Sequence, residues 1–128
     1  MTAAALVLAA MAASMHILIF VLESVLWVRP TIWERFGVVS QEQAEMTRSL
    51  AFNQGFYNLF LAIGTGVGII CKLAGQTTVG WTLIVFCCAS MVTAAAVLLS
   101  TGLSYLRAAA TQATLPLLAL IFAALSRL

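Results

Sequence analysis

The chain has 128 residues, of which 63% are hydrophobic and 8% are charged, and its formal net charge at pH 7 is +2. A soluble domain of this length needs far more surface charge, so this composition, with a mean hydropathy of +1.10, excludes a water-soluble globular fold. The six basic residues are spread along the whole chain. They form no basic patch, and we expect no nucleic-acid partner.

Four apolar runs are each long enough to cross a hydrocarbon layer, which needs about 20 helical residues. We predict spans near residues 3–28, 50–71, 78–100 and 109–125, all within one membrane domain over residues 1–128. The expected fold class is an all-α membrane protein, a four-transmembrane-helix bundle, with the lipid bilayer as its partner. The first run has no Lys or Arg before it and continues to Val28, which favours a span over a signal peptide.

The first predicted span contains two ionisable residues, His16 and Glu23. They are seven residues apart, about 700° of helical rotation, so they share one face at a separation of about 10 Å along the axis. An ionisable group inside a span marks a functional site by default. A single His without further ligands, and three cysteines without a CxxC step, favour no metal site, and the pattern names no cofactor.

The connection after the first span is polar and has its own structural signals. Pro30 is expected to end the first helix, and Trp33 suits the headgroup zone. Ser40 with Gln43 fits a capping box, which predicts that the second helix begins near Gln41.

Basic residues are unequally divided between the two membrane faces. The first and third connections carry four basic residues, and the opposite face carries Lys72 and Arg127. The positive-inside rule then predicts that the first and third connections are cytoplasmic and that both termini are outside, in a bacterial inner membrane.

The second predicted span carries four polar side chains within an arc of about 140°, namely Asn53, Gln54, Tyr57 and Asn58. We expect this arc to face the first helix, with Glu23 near the level of Asn53 and Gln54 and with His16 near Asn58. Arg48 falls outside the arc. These groups are interpreted either as a ligand-binding set together with His16 and Glu23, or as hydrogen bonds that join two helices in lipid.

Gly64 and Gly68 form a GxxxG step in the same span. Small residues let two helices approach closely in lipid. This candidate interface serves either the packing of the bundle itself or a homo-oligomer.

Several motifs along the chain resemble the domain of unknown function 1304 family. They are His16, the Leu22-Glu23 step, Trp27, the Phe36-Gly37 step, the acidic Glu42 to Glu45 segment, and the NQGxYN run from Asn53 to Asn58. The resemblance covers nearly the whole chain and is strongest from His16 to Asn58. It implies a small bacterial or fungal integral membrane protein with four spans, and it implies no activity.

Three hypotheses for function follow from the residues. The first is binding or transport of a small amphipathic ligand or lipid in a polar pocket between the first two spans, with Glu23 supplying the charge. The second is an intramembrane enzyme that uses Glu23 and His16 as acid and base, although about 10 Å of axial separation argues against direct cooperation. The third is a subunit of a membrane assembly.

Overall fold

The computed structural model describes residues 1–126. Arg127, which the charge-based topology prediction counted, lies outside the described residues. In chain order the helices are α1 (Thr2–Phe20), α2 (Pro30–Trp33), α3 (Gln41–Met46), α4 (Arg48–Leu73), α5 (Thr77–Ser100) and α6 (Leu106–Leu125). A π-helical turn (Val21–Val25) extends α1, and short 3-10 segments (Glu34–Phe36 and Leu103–Tyr105) follow α2 and precede α6.

Four helices are long and apolar enough to cross a membrane: α1 with its π-helical turn, α4, α5, and α6 with the 3-10 segment before it. The predicted all-α four-helix membrane bundle is confirmed. Each long helix packs mainly against the long helices before and after it in the chain, and α6 closes the ring by packing on α1. Consecutive spans run in opposite directions, so the end of α1 and the start of α4 meet at the same membrane face.

Small side chains fill the centre of the bundle. Fully buried alanines on α1 meet alanines on α6, with Trp81, Ile84 and Cys88 of α5 beside them. Because lipid tails are as apolar as Leu, helices in a membrane gain stability from close contact rather than from leaving the solvent. The small residues provide that close contact.

The glycine step of α4 packs against α5 of the same chain. A Cβ atom added to Gly64 would lie 2.6 Å from Cys87 Sγ, and one added to Gly68 would lie 3.0 Å from the Gly80 carbonyl oxygen. The surface predicted as a candidate interface is therefore covered inside the bundle.

The first helix ends at Val25, ahead of Pro30, and its last turn is π-helical. The Leu26 amide donates to the Val21 carbonyl oxygen at 3.0 Å, a bond that spans five residues instead of four. Pro30 then occupies the first turn of α2. The expectation that Pro30 ends the first helix is wrong, since the helix has already ended and a proline suits the start of the next one.

The connection from α1 to α4 is folded over the end of the bundle. Trp27 Nε1 donates to the Ala44 carbonyl oxygen at 2.9 Å. The Gln43 amide donates to Ser40 Oγ at 3.2 Å, so α3 has the predicted cap and begins at Gln41. The expectation that the second spanning helix begins there is wrong, because the helix is interrupted at Thr47 and α4 begins at Arg48. The indole bond fixes α3 to the residues that follow the π-helical turn.

Candidate ligand-binding site

Glu23 lies in the π-helical turn and faces α4. Its side chain is 9% exposed, and its Oε2 accepts a hydrogen bond of 3.1 Å from Asn58 Nδ2. The same nitrogen also donates to the Gln54 carbonyl oxygen at 3.1 Å, which holds the amide in place. Within residues 1–126 no basic side chain forms an ion pair with Glu23. The carboxylate therefore has one neutral partner and no counter-ion.

A glycine lets α1 and α4 approach at this point. A Cβ atom added to Gly55 would lie 3.2 Å from Glu23 Cβ and 3.1 Å from the Ser24 amide nitrogen. Beside this contact, Ser24 Oγ donates to the Phe52 carbonyl oxygen at 2.8 Å. The glycine and the serine together fix the π-helical turn on α4 and thereby fix the position of Glu23.

A cleft of about 100 Å³ opens next to Glu23. Its walls come from the end of α1 and the start of α4, and its lining residues are Glu23, Ser24, Val25, Trp27, Val28, Arg48 and Phe52. The cleft has an acidic group and a basic group, and its outer edge is apolar, with Val25 62% and Phe52 51% exposed. Such a cleft can hold a charged group while an alkyl chain lies along the outer edge.

The structure joins one pair of the predicted polar residues across α1 and α4, and it is not one of the expected pairs. Asn58 bonds Glu23, whereas His16 is 1% exposed and its Nδ1 lies 2.9 Å from the Ala12 carbonyl oxygen of its own helix. The expected pairing of His16 with Asn58 is therefore wrong, because Gly55 sets Asn58 at the level of Glu23.

The other predicted polar residues of α4 lie on its exposed surface. Asn53 and Gln54 are exposed, and Tyr57 is 58% exposed. None of the three lines the cleft between α1 and α4 in the described part of the chain. The expectation that the whole polar arc faces α1 is wrong, and only Asn58 at its edge reaches the first helix.

Besides the apolar residues of the cleft, three residues of the site were not predicted: Ser24, Arg48 and Gly55. The signal that could have found them is the run of small residues on α4, since Ala51, Gly55 and Ala62 are all buried. Arg48 precedes Gly55 by seven residues, about 700° of helical rotation, so both lie on the side of α4 that meets α1. Small residues, and not polar ones, mark the contact face here.

Comparison with known proteins gives one match. The family model described as "Protein of unknown function (DUF1304)" matches residues 10–124. The comparisons with curated proteins and with solved structures each found no match. The matched residues include all of the cleft and most of each long helix.

Proposed function

The chain belongs to the DUF1304 family of proteins of unknown function, and we propose that it binds a small amphipathic amine at Glu23, in the cleft between α1 and α4. One observation carries the proposal: Glu23 is buried in a membrane-spanning segment, is oriented by Asn58, and has no cationic partner among residues 1–126. An acidic residue buried within a membrane-spanning segment is costly and marks a functional site by default. A bound ammonium offsets part of that cost.

The cleft suits a ligand that comes from the bilayer. Asn58 occupies Oε2, which leaves Oε1 of Glu23 as the acceptor for a ligand ammonium. The exposed side chains of Val25 and Phe52 give an alkyl chain an apolar surface beside the charged end. An amphiphile with a positive head therefore matches both parts of the cleft.

Binding is favoured over transport because the cleft lies at one end of the bundle. Toward the opposite membrane face the centre is filled by buried side chains, among them Ala5, Ala9 and Trp81. A ligand at Glu23 has no open path through these residues. Acid and base catalysis by Glu23 with His16 is also disfavoured, since His16 bonds its own helix and does not line the cleft.

The proposal is tested with dodecylamine as the probe and dodecanol as its neutral match, using native mass spectrometry of the full chain released from mild detergent. We expect dodecylamine binding, no retention of dodecanol, and at least a tenfold loss of dodecylamine affinity in Glu23→Gln. The Gln amide oxygen can still accept from Asn58, so this variant is expected to fold.

Glu34→Gln is the matched control, because Glu34 is exposed in the connection and is also acidic. It should bind dodecylamine like the wild type. Equal dodecylamine affinity in wild type and folded Glu23→Gln would refute the proposal, as would equal retention of dodecylamine and dodecanol.

We also propose that the cleft faces the cytoplasmic leaflet of a bacterial inner membrane. At its face of the bundle lie Arg29, Arg35, Arg48 and Arg107, whereas Lys72 lies at the other face. The positive-inside rule places the richer face in the cytoplasm. In a Cys71→Ala background, a membrane-impermeant maleimide should label Gln76→Cys in intact cells and Val39→Cys only after permeabilisation; the reverse pattern contradicts this orientation.

A further inference from the structure

Arg48 places a second charge in the cleft that contains Glu23. It is the first residue of α4, is exposed, and lines the cleft together with the carboxylate. The two side chains do not form an ion pair with each other. A cleft with separated positive and negative groups matches a ligand that carries both charges.

We infer that the cleft takes a primary ammonium joined by a short linker to a phosphate, the headgroup of phosphatidylethanolamine. The ammonium binds Glu23 and the phosphate binds Arg48. This inference rests on the proposed function, because the contact between the ammonium and Glu23 is the same. What it adds is the second contact and the chemical class of the ligand.

The chemistry of the two side chains selects this headgroup. The guanidinium of Arg matches phosphate oxygens through two parallel hydrogen bonds. A primary ammonium donates three hydrogen bonds, and Glu23 Oε1 is available to accept one of them. A quaternary ammonium such as choline donates none, and its three methyl groups must also fit a cleft of about 100 Å³.

The positions of the two charges along the membrane normal agree with the headgroup of a phospholipid. Arg48 opens α4 at the membrane face, where lipid phosphates lie. Gly55 contacts Glu23, and Gly55 follows Arg48 by seven residues, so Glu23 lies about 10 Å deeper. Both side chains line the same cleft. The ethanolamine arm must then fold inward from the phosphate, while the acyl chains lie against Val25 and Phe52.

The test compares five probes on the full chain in mild detergent: dioctanoyl phosphatidylethanolamine, the matching phosphatidylcholine and phosphatidylglycerol, dodecylamine, and free phosphoethanolamine. We expect phosphatidylethanolamine to bind about tenfold more tightly than the other two phospholipids. In Arg48→Gln its affinity should fall about tenfold, with dodecylamine affinity unchanged. In Glu23→Gln both affinities should fall.

Arg35→Gln is the control, since it removes the same charge from an exposed position in the connection between α1 and α4. It should leave all affinities unchanged. Equal unfolding midpoints in sodium dodecyl sulfate for wild type and Arg48→Gln establish that the variant is folded.

The outcomes separate the inference from the proposed function. If phosphatidylethanolamine binds no more tightly than phosphatidylcholine, or if Arg48→Gln binds it like the wild type, the headgroup inference is overturned while the amine site at Glu23 stands. If dodecylamine binding is unaffected by Glu23→Gln, the headgroup inference and the proposed function are both refuted. If free phosphoethanolamine binds as tightly as the lipid, the headgroup chemistry is supported and the ligand is the soluble form.

Discussion

Gly55 of α4 lies directly against Ser24 of α1. A Cβ atom at Gly55 would overlap Ser24 Oγ and would lie 3.1 Å from the Ser24 amide nitrogen, which cannot move without the helix. Gly55→Ala should therefore separate α1 from α4 and destabilise the bundle by about 2 kcal/mol. The free energy of unfolding, measured by titration with sodium dodecyl sulfate in mixed micelles, checks this value.

Gly66→Ala is the control for that measurement. It makes the same chemical change on the same helix, but a Cβ atom at Gly66 meets nothing within 4 Å. Alanine favours the helix over glycine by about 1 kcal/mol, so Gly66→Ala should be neutral or stabilising. Similar unfolding free energies for the two variants would show that the contact at Gly55 is not tight.

Asn58→Ala should destabilise the protein by about 1 kcal/mol, because it removes the hydrogen-bond donor to buried Glu23. Asn53→Ala provides the comparison, since Asn53 is an exposed amide on the same helix. Its unfolding free energy should stay within about 0.5 kcal/mol of the wild type. An equal loss in both variants would mean that the bond to Glu23 contributes nothing.

Trp27→Phe should release the connection that covers the cleft end of the bundle. The variant keeps an aromatic ring but loses the indole donor to the Ala44 carbonyl oxygen. Amide hydrogen exchange over residues 38–46 should become about tenfold faster, which corresponds to about 1.4 kcal/mol in the free energy of local opening. Exchange in α5 should stay unchanged.

Tyr57→Phe controls for the loss of a polar aromatic side chain, because Tyr57 is on the exposed surface of α4. It should leave exchange over residues 38–46 as in the wild type. Unchanged exchange in Trp27→Phe as well would mean that the bond to Ala44 does not hold α3 in place.

His16→Leu should leave dodecylamine affinity within about twofold of the wild type. His16 is buried, its Nδ1 pairs with the Ala12 carbonyl oxygen within α1, and it does not line the cleft. The substitution should change stability by less than about 1.5 kcal/mol, as for a change of similar volume in a core. A large loss of dodecylamine affinity in a folded variant would show that His16 contributes to binding.

Hydropathy predicted the architecture of the chain because each span needs only length and apolar composition to be recognised. The residues of the cleft were harder to predict, since the polar arc of α4 was expected to face α1. In lipid, helices approach where side chains are small, so the face of α4 that carries Gly55 contacts α1 instead. Arg48 lies on that face and therefore lines the cleft.

The depth of the polar residues was predicted only in part, since Glu23 does lie beside the residue that follows Gln54, whereas His16 does not bond Asn58. Two helices can slide past one another without changing which side chains are apolar, and one glycine contact decides the level at which they meet. Gly55 sets that level at Glu23 and Ser24, which brings Asn58 to Glu23, whereas His16 pairs with the Ala12 carbonyl oxygen of its own helix. No periodicity in the sequence signals the π-helical turn.

A π-helical turn holds one residue more than an α-helical turn, so the residues after Val21 are rotated by about 100° from where an uninterrupted helix would carry them. The first helix is thus continuous, but it presents differently rotated faces before and within the turn. The alanines before the turn pack on α6, and Glu23 with Ser24 packs on α4. An uninterrupted α-helix of the same sequence could not satisfy both alignments, because Glu23 and Ser24 would be rotated away from α4 while the alanines stayed on α6.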